Sequence, residues 1–146
     1  MLCDLMQKNK RSVIMKQFVF WTGVYNILLG LGFFLPPLVS FLRVPVPESG
    51  VWVQLPATIV IYLGVLLILC SRNLRSRASI VCWEGILRIA AFFLLASYGF
   101  FGDLGISMAL VGIVDLVIGL IYLFGLPKSL EITVAQLLTD SAELAK

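Results

Sequence analysis

A chain of 146 residues, 60% of them apolar and only 13% charged, lies far outside the soluble range of roughly 45–50% and 25%, and its length suits one domain. The sequence contains no histidine, which excludes the usual serine hydrolase triad and removes the commonest ligand of haem and zinc. The net charge is only +3, and the basic residues stand beside apolar runs where topology signals belong, so the charge does not mark a nucleic-acid binder.

Four apolar stretches, residues 17–38, 51–70, 79–101 and 104–126, are each long enough to cross about 30 Å of hydrocarbon at 1.5 Å per residue. Lipid offers the backbone no hydrogen bonds, so each is predicted to be a helix. The expected fold class is all-α: a four-transmembrane-helix bundle over 17–127, preceded by a basic segment 1–16 and followed by a tail 128–146. Segment 1–16 carries Lys8, Lys10, Arg11 and Lys16. The apolar run after it lacks a small-residue cleavage site and should stay as an anchor. Cys3 precedes that run, which is the wrong order for a lipoprotein.

The first span contains GVYNILLGL, residues 23–31, with Asn26 between Gly23 and Gly30. Pro36 and Pro37 should end this span, and Pro45 and Pro47 should hold an extended outer loop, because proline lacks a backbone donor. Trp52 is placed to anchor the second span at an interface, as Trp21 and Trp83 are near the opposite boundary. Tyr62 lies within the second span, and Arg72, Arg75 and Arg77 follow it. Lys128 and Lys146 lie beyond the fourth span, and Arg43 alone stands in an outer connection, so the flanking basic residues divide nine to one. The positive-inside rule then places both termini and the middle loop in the cytoplasm. Cys3, Cys70 and Cys82 form no C-x-x-C pair and fall near that reducing side, so a structural disulfide is not expected.

The third span opens with WEGILRIA, where Glu84 precedes Arg88 by one helical turn on the same face. Counting at 1.5 Å per residue from the basic end puts Arg88 about 15 Å deep, Glu84 about 9 Å and, on the oppositely running fourth span, Asp115 about 16 Å. Asn26 and Tyr62 fall at about 12–14 Å. An isolated charge at a helix centre costs about 2.5–3.5 kcal/mol even on a lenient insertion scale. Arg88 is therefore expected to bridge Glu84 and Asp115, with Asn26 and Tyr62 in the same polar layer. Two carboxylates against one guanidinium leave an excess of one negative charge, which a proton or a ligand's cation would balance. The cluster reads as a ligand- or partner-binding centre or, alternatively, as a buried clamp that fixes helix register.

The fourth span contains GIVDLVIGL, residues 112–120, which shares with the first the pattern G-x-x-[N/D]-x-x-x-G-L. Gly23 and Gly30, and Gly112 and Gly119, are expected to permit close helix packing. In the tail, Val134, Leu137, Leu138 and Leu144 recur at helical spacing and predict a short amphipathic helix, held at the membrane surface or left as a solvated end.

The run YNILLGLGFFLPP in the first span, the basic inner loop, the arginine in WEGILRIAAFFLL and the glycine-rich last span together resemble the DoxX-like group of small four-helix membrane proteins. That resemblance implies a bacterial inner (plasma) membrane protein and an accessory or quinone-interacting role in a membrane oxidoreductase. Read from the residues, the expected function is a non-enzymatic module that binds a lipid, an amphipathic small molecule or a partner helix, with Arg88 holding an anionic or carbonyl group. A proton-coupled small transporter is the alternative. No cofactor, metal or catalytic residue is expected, because no nucleotide fingerprint or ligand set stands out. The bilayer, an amphipathic ligand such as a lipid or quinone, and a homodimer or membrane-protein partner are the expected associations.

Overall fold

The computed structural model describes residues 2–41 and 49–139. Among them there is no strand, and the chain runs α1 (Leu2–Gly32), α2 (Pro36–Phe41), α3 (Val51–Arg72), α4 (Ala78–Phe101), α5 (Gly105–Leu120), a π-helical turn (Ile121–Gly125), α6 (Leu126–Leu130) and α7 (Val134–Leu138). Asn9–Gly32, Val51–Arg72, Ala78–Phe101 and Gly105–Leu130 are long and apolar enough to cross a membrane. Large side chains such as Phe93, Leu94, Phe101 and Phe124 point outward, an arrangement that fits lipid as the outer solvent.

Two of the breaks differ from those read in the sequence. Helix α1 stops at Gly32, four residues before the prolines, and Pro36 and Pro37 instead open α2. Proline suits the first helical turn, where its missing N–H has no partner to lose. Pro45, Pro47, Arg43, Lys146 and Leu144 lie outside the described residues. Near the other end, the fourth span widens into a π-helical turn just before Pro127. A proline ring crowds the carbonyl four residues earlier, here Leu123 within that wider turn.

The bundle is built from two tightly joined pairs. Between α1 and α3 the backbones nearly touch: a methyl group at Gly23 would stand 2.7 Å from the Gly64 carbonyl oxygen, and one at Gly30 would stand 2.7 Å from that of Ala57. Between α4 and α5 a methyl at Gly119 would stand 2.8 Å from the Gly85 carbonyl oxygen, and one at Gly112 would press on Leu95. In each seam the small residues recur every seven positions, two helical turns, which keeps them on one face along the contact.

The pairs join most closely at the basic end. There Met15, Val19, Leu67, Cys70, Leu74, Val81, Tyr122 and Leu126 form one buried core. The tail completes this core and is not held at a membrane surface or left as a solvated end. The chain reverses at Glu131 through a left-handed conformation, φ 57° and ψ 44°. Thr133 and Gln136 then close a capping box on α7, and Leu137 is fully buried in the core.

Candidate functional site

The third span, α4, supplies the centre of the polar layer. Glu84 and Arg88, one turn apart on α4, are 6% and 5% exposed, and the Arg88 Nε donates to Glu84 Oε1 at 2.7 Å. The Arg88 Nη1 donates to Asp115 Oδ1 on α5, and Nη2 donates to Asn26 Oδ1 on α1 at 2.7 Å. Each guanidinium nitrogen thus faces an acceptor, and one side chain ties three helices together. Asn26 is itself 4% exposed. Charge-assisted bonds of this kind are roughly twice as strong as neutral ones, and the fork of the guanidinium fixes the acceptors' positions.

The balance is incomplete on the acidic side. Glu84 Oε2 is buried and has no hydrogen-bond partner; the Asn26 amide lies near this carboxylate without reaching hydrogen-bond geometry with that atom. A buried acceptor without a donor loses its hydration with nothing in return.

Asp115 faces two ways. While ion-paired to Arg88, it also lines an open-sided cavity of about 450 Å³. The cavity occupies the half of the bundle away from the basic end, between the two helix pairs. Its walls include Phe33, Trp52, Val60, Leu95 and Val111, and Asp115 is the charged group among its lining residues. The arrangement offers an apolar chamber with a hydrogen-bond acceptor at its inner end, the composition of a site for an amphipathic ligand.

Of the residues singled out in the sequence, Glu84, Arg88, Asp115 and Asn26 are therefore brought together, and Gly23, Gly30, Gly112 and Gly119 lie at the seams. Tyr62 is not: it is 65% exposed on the outer face of α3. Its depth matches, but it stands two residues from Gly64, about 200° around the helix from the face that packs on α1. Three of the five N–H groups of Arg88 donate to Glu84, Asp115 and Asn26.

Three features of the region were not found in the sequence. Thr22, one turn before Asn26, hydrogen-bonds through its hydroxyl to that of Tyr122, which is fully buried in the π-helical turn. Phe18 packs edge-on against the same Tyr122 ring, with centroids 5.8 Å apart. Tyr25 lies within electrostatic range of both Asp115 and Arg88. The four-residue step from Thr22 to Asn26 and from Phe18 to Thr22 was the available signal. The cavity left no signal, since its walls are ordinary apolar residues.

Among the described residues no group of three histidine, cysteine or acidic side chains is placed to hold a metal ion. Cys70 and Cys82 are free and buried. No protein-family model, curated protein or solved structure matches the chain.

Proposed function

We propose that this protein is a non-enzymatic integral membrane module that binds an amphipathic small molecule or lipid within its bundle. The apolar part of the ligand occupies the cavity and its polar end donates to Asp115. One observation carries this reading: the aspartate whose carboxylate pairs with a buried arginine also lines a cavity of about 450 Å³. A clamp that only fixed register would need the pairing and not the chamber.

The basic flanks support an orientation with both termini in the cytoplasm, and the layout fits a bacterial inner membrane. A second reading, a proton-coupled transporter, is favoured by the excess carboxylate at mid-depth, since intramembrane acids exchange protons with substrates at such positions. A quinone-interacting role has less support, because a quinone's carbonyls accept hydrogen bonds and the cavity presents an acceptor.

Native mass spectrometry of gently extracted protein, with identification of co-released molecules, tests the reading against Asp115→Asn and Arg88→Gln. A molecule retained by the wild type and lost from both variants is expected. Identical spectra for all three, with only reduced stability in the variants, would reduce the cluster to a clamp.

A further inference from the structure

The ligand's head group can be narrowed from the charges around the cavity, on the basis of the binding role proposed above. Arg88 spends three of its five N–H donors on Glu84, Asp115 and Asn26, is nearly fully buried, and is not among the residues that line the chamber. The chamber is lined by Asp115, whose side chain is partly exposed. Behind it Glu84 keeps one oxygen without a donor. Around these acids α1 brings only the neutral Asn26 and Tyr25, and the π-helical turn brings Tyr122, already bonded to Thr22. Among the described residues no second cation reaches them: α3 brings only the thiol of Cys70 within electrostatic range of Glu84, and Arg72 is exposed at the basic end, as are Lys16, Arg75, Arg77 and Lys128. The centre therefore holds one more negative charge than positive, and an excess charge in a low-dielectric interior is neutralised or paired.

We infer that the ligand is a hydrophobic amine, an apolar body bearing one protonated nitrogen, and that its ammonium donates to Asp115 and balances the excess charge. When the site is empty, a proton from water closes the same balance; when the ammonium enters, that proton leaves to water. Binding and proton release are thus exchanged at one carboxylate centre. Acid competes with the ligand, so affinity falls as pH falls, by up to about tenfold per unit once the empty site is protonated.

Isothermal titration of the full chain in zwitterionic lipid nanodiscs tests this with decylamine, decanol and decanoate, which share a tail and differ in the head. Two buffers of different ionisation enthalpy at one pH report the protons released. Ala91→Phe, which places a large side chain in the cavity wall, gives the background of partition into lipid. Decylamine is expected to bind saturably, about tenfold or more tighter than decanol, with about one proton released; Asp115→Asn should lower its affinity to that of decanol and abolish the release. If decanol matched decylamine and no proton were released, the amine inference would fall while the binding role stood. If decanoate bound most tightly, the polarity assigned to the site would be reversed and the inference overturned. If none exceeded the Ala91→Phe background, binding in this cavity would itself be refuted.

Discussion

Arg88 joins α1, α4 and α5 through one planar group, and its energetics follow from what deletion leaves behind. Arg88→Leu strands the buried carboxylate of Glu84 and the partly buried one of Asp115, and breaking a buried pair in this way costs about 3–5 kcal/mol. The expected result is a large fall in the thermal midpoint in mild detergent; a midpoint within a degree of wild type would show that the acids are hydrated. Replacing Glu84, Arg88 and Asp115 together with leucine should recover most of that loss, because well-packed apolar residues often substitute for buried ion clusters without cost. A site kept for binding and not for stability should then lose its ligand while the bundle persists. Depth counted along each span was enough to bring Glu84, Arg88, Asp115 and Asn26 together, because helical rise is constant. It failed for Tyr62 because depth says nothing of azimuth. The Gly64 seam fixes the rotation of α3, and Gly64 gains meaning only once Gly23 is seen opposite it.

At the scale of elements, the glycine seams set how closely the helices approach. A side chain at Gly64 or Gly119 meets a backbone carbonyl oxygen first, at 2.6 and 2.8 Å, with the side chains of Ile27 and Ile89 close behind. Gly64→Val should therefore lower the midpoint more than Leu69→Val, a change on an exposed face of the same helix, when both are followed by thermal unfolding. Equal effects would contradict the close backbone contact. Four spans were legible from apolar length alone, to within a few residues at most ends. The π-helical turn was not, since Pro127 marks a disturbance without saying whether the helix stops or widens there. The tail helix was legible from its spacing, but its docking was not: Leu137 is fully buried only because the basic ends of α1, α3 and α4 leave it a place. Leu137→Ala should cost about 2 kcal/mol or more, measured by chemical unfolding in detergent, whereas a freely solvated tail would show no change.

The whole molecule is two glycine-seamed pairs, closed by a dense core at the basic end and parted by a chamber at the other, with the ionic centre at the junction. In the proposed reading this division would let one end hold the fold while the other accepts a ligand, since cavity walls contribute less packing than a filled core. Orientation can be measured by attaching the same reporter in turn to each terminus: both should report the cytoplasmic side, and opposite sides would contradict the positive-inside reading. The central claim is that the chamber, and not the ion cluster alone, is what the protein uses. Its most direct measurement is the set of molecules co-purifying with Ala91→Phe, compared with wild type by native mass spectrometry alongside thermal unfolding. The expected result is loss of a bound amphipath with stability lowered by no more than overpacking implies, about 1–3 kcal/mol. An unchanged set of bound molecules in a folded variant whose chamber is filled would contradict the claim.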